Sequence, residues 1–311
     1  MTPEIYAEWL RRQGQRVVRT ESSYWHSEAM GVYQAFPYHW LITPAREELR
    51  ELTFRHRALA VRYSTPPKGS EGAEAYHAVY ASADYDFNNL SSWARKNVRR
   101  GLRLCKVNQI SLDRYIEEGW ELRLDTLARQ QRRLEESRDD WRRRYGSIAG
   151  LEGFEIWAAQ VNDRLAATLV TFQMDGWAYM VYQQCHRDFL REHANNALSF
   201  VVTQHLVRKP DVQGVFYGMQ SVDAPASVDE FKFRMGYEAR PVAQRVVFAR
   251  CLSPLVNSFG YGLLKAAHSL APEHRWLSKA EGMFRLALKK TDTTTTLMSP
   301  SPESAPVSQQ E

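Results

Sequence analysis

Between Tyr217 and Lys232 the chain places a phenol, an amide, carboxylates and an amine, with Tyr217, Gln220, Asp223, Glu230 and Lys232 as the candidates. These groups could run proton-transfer chemistry. A carboxylate, Asp223 or Glu230, could take a proton from a nucleophile while the Lys232 ammonium donates to negative charge developing on a substrate. Tyr217 and Gln220 could hold a reactant by hydrogen bonds. Each residue also has a plainer reading. Ser227, three residues before Glu230, fits a helix capping box, and Asp223 could cap the same helix. Tyr217 could be an ordinary buried phenol, Gln220 a strand-end amide and Lys232 a surface lysine.

Two further groups of residues suit anions. Asn195, Asn196 and Ala197 open a stretch of helical pattern, and a helix start offers unpaired N–H groups at its positive dipole end. Gln183, Arg187 and Arg191 lie just upstream. The second group is the stretch from Asn88 to Asn108, which contains no acidic residue. On a helical wheel Ala94, Val98, Gly101, Leu102 and Cys105 share a narrow arc, with Arg95, Lys96, Arg99, Arg100, Arg103 and Lys106 opposite. Like charges four apart cost a few tenths of a kcal/mol per pair. Arg95, Arg99 and Arg103 are therefore candidate ligands for phosphates; the alternative is a solvated basic face. His186, His193 and His205 have no metal-ligand spacing, and no Ser-His-Asp or Cys-His arrangement is visible.

These side chains need a scaffold, and the pattern from Phe154 to Tyr237 supplies one. FEIWAAQV, RLAATLVTFQM and WAYMVYQQC are strand-like runs joined by Asn162-Asp163 and Asp175-Gly176, which predicts an antiparallel meander. A helix is predicted from about Ala194 to Lys209, ending before Pro210. A strand GVFYGMQ, a helix carrying FKFRMGY and a strand AQRVVFARC follow. Upstream, the pattern predicts a helix over Pro3 to Arg12 and an aromatic strand region from Tyr24 to Ile42. A helix from Thr43-Pro44 to Leu52, with Thr as its cap, and the strands LAVRYS and YHAVYAS come next. Ser111 to Leu134 reads as helix, and Glu135 to Arg144 as a solvated helix or mobile loop. After the core, helices are expected from Ser253-Pro254 to about Leu270 and from about His274 to Lys290. The first of these is apolar enough for membrane-surface contact, although packing on the core is the plainer reading. Thr291 to Glu311, rich in Thr, Ser and Pro, is expected to be disordered. No internal sequence repeat is apparent.

With 311 residues, 44% hydrophobic, the chain has length for about two domains and ample core. A net charge of +5 favours anionic ligands without by itself implying nucleic acid. Cys105, Cys185 and Cys251 read as reduced, buried thiols, which suits a cytoplasmic protein. Neither a signal peptide nor a membrane-spanning run is apparent.

Four stretches, taken in order, resemble a known family. WARKNVRRGLRLCKV is similar to the basic helix of FemAB-type acyltransferases, and ELRLDTLARQQRR to the helix opening their second acyltransferase domain. The run from Arg164 to Leu206 resembles the strand-strand-helix core of that family and of GCN5-related N-acyltransferases (GNATs), and DEFKFRMGYEARP matches its "yKrrfG" signature. The likeness extends over roughly Asn88 to Arg250. It implies a mixed α/β fold of two acyltransferase-like halves, the first degenerate. The implied divisions are residues 1–110, ending in the basic helix, the acyltransferase domain 111–252, helices over 253–290 and a tail over 291–311.

The resemblance also implies chemistry: transfer of an acyl or aminoacyl group to an amine, as in the peptidoglycan-bridge and cellulose-biosynthesis branches. The donor would be acyl-CoA, an acyl carrier or aminoacyl-tRNA, arriving as a substrate, with no permanently bound cofactor or metal. The acceptor would be a small-molecule or cell-envelope amine; tRNA and peripheral membrane contact are further implied partners, and DNA is not. Lys232 would occupy the place where ordinary acetyltransferases put a tyrosine. The glycines that usually precede the core helix are missing, since no glycine lies between Gly176 and Gly214. Anion binding at Asn195 to Ala197 then rests on the helix start alone. The alternative function is a non-catalytic binding protein on a decayed acyltransferase fold, holding RNA or an anionic surface through the basic helix.

Overall fold

The computed structural model describes residues 1–28, 31–68, 72–130, 136–220, 226–271 and 274–288. In the second half, β7 (Phe154–Val161), β8 (Arg164–Met174) and β9 (Trp177–Cys185) form the antiparallel meander expected from their apolar, β-branched and aromatic runs. Its turns fall where Asn162, Asp163, Asp175 and Gly176 adopt positive φ, which Asn, Asp and Gly tolerate at least cost. Helix α6 (Ala194–Val207) then crosses over to β10 (Gly214–Met219), which runs parallel to β9. Helix α7 (Ala226–Arg234) leads into β11 (Glu238–Phe248), while β6 (Lys106–Gln109) extends the outer edge beside β7.

The first half repeats this plan. After α1 (Pro3–Arg12) come the antiparallel strands β1 (Val17–Arg19), β2 (Tyr24–Ser27) and β3 (Val32–Phe36). Helix α2 (Arg46–Phe54) crosses over to β4 (Ala60–Thr65), parallel to β3, and β5 (Ala73–Tyr80) ends the half. All strands join one sheet in the order β1-β2-β3-β4-β11-β5-β10-β9-β8-β7-β6. From either end inward the plan is the same, and the two halves exchange their last strands: β11 pairs with β4, and β5 with β10. Backbone pairing does not depend on residue identity, so this duplication persists without a readable sequence repeat.

Helices cover both faces. On one, Ala94 and Val98 of α3 (Ser92–Leu104) and Leu198 and Val202 of α6 pack on Leu169, Ala178 and Val215. On the other, Tyr6 and Trp9 of α1, Tyr115 of α4 (Leu112–Arg129) and Trp141 and Tyr145 of α5 (Arg138–Gly146) pack on Val170, Phe172, Tyr179 and Phe216. Adjacent residues of β9 and β10 thus serve opposite cores, as a two-residue period requires.

Several local expectations are corrected. Helix α2 starts at Arg46 behind Ala45, with no side-chain cap, so Thr43 does not cap it. The charged stretch 135–144 is not merely solvated: α5 drives Trp141 and Tyr145 into the aromatic core, and Ser137 caps it. Ser253-Pro254 opens a short 3-10 turn, and α8 (Ser258–Leu270) begins later, capped by Asn257. Helix α9 (Arg275–Leu288) follows and covers Val32, Ala60 and Val246 through Met283. Cys251 is exposed, unlike the buried Cys105 and Cys185. Leu102 likewise faces outward. The segment 291–311 lies outside the described residues.

Candidate active site

Strands β9 and β10 pair only at Gly214↔Trp177, Val215↔Ala178 and Phe216↔Tyr179. Beyond that point β9 continues to Cys185 and β10 to Met219 without partnering each other, so the two parallel strands splay apart. On its other edge β10 shifts register against β5 between Phe216 and Gly218. A bulge of this kind re-aims the residue it displaces. Here that residue is Tyr217, whose ring packs edge-on against Tyr237 at 5.0 Å.

A chain of polar side chains crosses the splay. The Tyr217 hydroxyl donates to Gln183 Oε1. Gln183 Nε2 reaches Ser199 Oγ at 2.8 Å and Asn195 Oδ1 at 3.3 Å, both on the first turns of α6. From the other side, Lys232 Nζ lies 5.6 Å from the centre of the Tyr217 ring. It donates to Asp229 Oδ1 at 2.6 Å, and the Tyr76 hydroxyl donates to Asp229 Oδ2 at 2.6 Å. Lys232 is only 5% exposed, whereas Phe231 beside it is half-buried, so the ammonium is turned inward. Burial raises the pKa of the Tyr217 phenol, and burial followed by the hydrogen bond to Asp229 raises that of Tyr76. Both remain protonated donors at neutral pH.

The structure brings together Lys232, Tyr217, Gln183 and Asn195 from the sequence candidates. Gln220 contributes through its backbone, donating to the Tyr76 carbonyl at 2.8 Å and accepting from Gln244 Nε2 at 3.4 Å. Asp223 lies outside the described residues. Glu230 is exposed and pairs with Arg234 on its own helix. The carboxylate that faces Lys232 is Asp229, which sequence reasoning passed over although its i,i+3 spacing could have exposed it. Tyr76 comes from the exchanged strand of the first half and had no sequence signal.

The start of α6 is largely occupied by the protein itself. The amides of Asn196 and Ala197 donate to the His193 carbonyl at 3.0 and 3.1 Å, and the Asn195 amide meets the Cys185 sulfur. Asn196 Nδ2 faces Met235 Sδ at 3.7 Å. Gly101 of α3 packs so closely that an added Cβ would lie 2.7 Å from the His193 carbonyl oxygen and 2.9 Å from Ala197 Cβ. The basic helix therefore lies across the turn expected to cradle a pyrophosphate. Arg187 is also engaged, through its amide (2.8 Å) and its guanidinium, with the buried Asp125 carboxylate. Burial pushes that carboxyl up, but hydrogen bonds from Arg187 outweigh it and hold its pKa below the usual range. Arg191 is exposed.

On α3, Lys96, Arg99, Arg100 and Arg103 face solvent, as does Lys106 at the start of β6. Arg95 is half-buried and donates to the Leu90 carbonyl at 3.2 Å, and Arg99 lies over the Phe87 ring at 5.3 Å. The histidines serve structure: the His186 side chain caps a 3-10 turn, His193 adopts a left-handed conformation before α6, and His205 sits 3.4 Å from Glu155. Among the described residues no group of three potential metal ligands comes together, and no helix is long and apolar enough to cross a membrane. Burial pushes the thiols of Cys105 and Cys185 up to about 11 and about 12, which makes both poor nucleophiles.

No family model matches the chain, and no curated protein matches it. Solved structures do. FemX is 9% identical, with 81% of this chain and 93% of that one covered at a TM-score of 0.54. The C-terminal domain of a candidate lysylphosphatidylglycerol synthetase from Agrobacterium fabrum is 13% identical, covering 78% and 87% at 0.52. A conserved protein of unknown function from Bacteroides thetaiotaomicron is 9% identical, covering 78% and 88% at 0.53. The chain thus has a mixed α/β fold like that of FemX and of the lysylphosphatidylglycerol synthetase domain.

Proposed function

We propose that the protein is an N-acyltransferase that moves an acyl or aminoacyl group from an activated donor to an amine. The reading rests on one observation: a buried ammonium, Lys232, ion-paired with Asp229, lies over the ring of a protonated phenol, Tyr217, at the splay between two parallel strands. In the reaction the amine nitrogen attacks the donor carbonyl, a C–N bond forms, and the C–S or C–O bond to the carrier breaks. The carbonyl oxygen carries negative charge in between, and a fixed ammonium in a dry site stabilises that charge without reorganising. The leaving sulfur or oxygen needs a proton, which the Tyr217 hydroxyl supplies. Asp229 and Tyr76 hold Lys232 rather than react. Asp223, by its place in the sequence just before α7, is the proposed acceptor of the amine proton.

The covered start of α6 and the open face of α3 favour a donor whose polyanionic part lies along the basic helix. Acyl-CoA and aminoacyl-tRNA both meet that description. One neighbour's name joins a lysyl group to phosphatidylglycerol, so lipids belong among the acceptors to be screened. Thermal-shift and turnover screening of acyl-CoAs and aminoacyl-tRNAs against a panel of amines tests the proposal. Donor-dependent product formation supports it. Stabilisation by RNA or anionic lipid with no transfer from any donor would establish the non-catalytic binding reading instead.

A further inference from the structure

Helix α8 is held on one side and bare on the other. Its inner face rests on α9: the Tyr261 hydroxyl donates to Glu281 at 2.6 Å, and an added Cβ on Gly260 would come within 3.6 Å of Phe284. Helix α9 is in turn seated on the sheet through Met283 and through Phe284, whose ring lies 5.2 Å from that of Phe248. The outer face carries Phe259, Leu263, Ala266 and Leu270 at alternating spacings of four, three and four, a single stripe on a helix. Phe259 is 76% exposed, Leu263 59% and Leu270 87%, and Leu255 in the turn before the helix is 59% exposed. Isolated exposed leucines mean little, but an aligned apolar stripe on an anchored helix calls for an occupant.

We infer that this stripe docks the protein on an anionic lipid surface. Charge is the first reason. From Cys251 to Pro272 the sequence contains no acidic residue, while Lys265 on the same helix and Arg250 before it are exposed. An amphipathic helix with apolar side chains outward and cations at its margins lies in the interface of a membrane, its apolar groups among the acyl chains and its cations at the headgroups. Area is the second reason. Four apolar side chains supply roughly 500 Å² at one to two hundred Å² each. A stable dimer needs ~800 Å² from each partner. The sequence after Leu288 scatters its larger apolar residues, Leu297, Met298 and Val307, among Thr, Ser and Pro, with no stripe to match that of α8. The inference is independent of the acyl-transfer reading, and the test below uses no enzymatic activity.

The full chain is floated with phosphatidylcholine vesicles that contain phosphatidylglycerol and with vesicles of phosphatidylcholine alone. Binding is expected to the first, much less to the second, and to weaken as salt rises. The variant Phe259→Ser/Leu263→Ser should lose at least about tenfold in the bound-to-free ratio, since two apolar side chains leave the bilayer. Both positions face outward, so its circular dichroism and melting temperature should match the wild type. Lysine 265 is tested separately as Lys265→Gln, which should lower binding only to the anionic vesicles. Failure of the wild type to float, or equal flotation of the double variant, overturns the inference. So does sedimentation velocity in which the wild type is a dimer and the double variant a monomer, since the occupant is then a second copy of the chain.

Discussion

Replacing Lys232 by Met keeps a stem of similar length and removes only the ammonium. On a surface lysine, the plainer reading of the sequence, such a change would leave stability untouched, because the charge is in water. The structure sets a different expectation. Lys232 is buried and its Nζ lies 2.6 Å from the part-buried Asp229, so the variant strips that carboxylate of its cation. Removing one partner of a fully buried pair costs ~3–5 kcal/mol. Asp229 keeps the Tyr76 hydrogen bond, so about 1–3 kcal/mol is expected instead. That corresponds to a fall in melting temperature of several degrees. Loss of a donor to developing charge costs ~10²–10³ in turnover. The assay is product formation with saturating donor and amine, on protein shown to be folded at the assay temperature. The double variant Asp229→Asn/Lys232→Met separates the two effects: removing both charges should recover much of the stability and none of the turnover. Near-normal turnover in Lys232→Met, or recovery of turnover in the double variant, would refute the catalytic assignment, the latter by showing that the lysine only neutralises Asp229.

Tyr217→Phe removes the hydroxyl that reaches Gln183 and should lower turnover at least ~tenfold with little change in donor affinity; an unchanged rate would leave the leaving-group proton to solvent. Gly101→Ala gains helix propensity of about 1 kcal/mol but forces a methyl against backbone, so a net loss of ~1–3 kcal/mol is expected in denaturant unfolding. Joint replacement of Arg95, Arg99 and Arg103 by Gln should weaken polyanion binding and flatten its salt dependence, read from affinity measured across a salt series. Acid should destabilise the fold before its carboxylates titrate. Burial lowers the pKa of His26 and of His39 to about 4, the latter against an opposing contribution from Asp175. From pH 6.5 down to about 4 the unfolded chain therefore binds protons that the folded chain refuses, and stability falls with pH by up to about 3 kcal/mol per histidine. A melting temperature that stays flat from pH 7 to 4.5 would show that these rings are not held neutral.

The sequence by itself determined whatever depends on local periodicity. The meander from Phe154 to Cys185 matches its apolar runs and its Asn-Asp and Asp-Gly turns residue for residue, because the length of an apolar run and left-handed turn residues are local properties. The acid-free helix was equally legible, with Ala94 and Val98 on its buried face. Lys232 was visible because it sits in a motif, and Tyr217 because it lies on the strand before that motif. Tertiary structure decided what those elements meet. That Asp229, and neither Glu230 nor a solvated rim, faces Lys232 depends on the rotation of α7 against the sheet, which helical spacing narrows but does not fix. Tyr76 joins the site only because the halves exchange their last strands, a pairing between residues far apart in sequence that no short-range pattern encodes. The N–H groups at Asn196 and Ala197 are spent on His193, and α3 covers them where Gly101 lets two helices touch. Packing also decided α5, where Trp141 and Tyr145 enter the core while Arg138, Arg142 and Arg143 stay exposed, so a segment whose composition reads as solvated is solvated on one face alone. Periodicity specifies which face of an element is apolar; only the close-packed interior specifies which other face it touches.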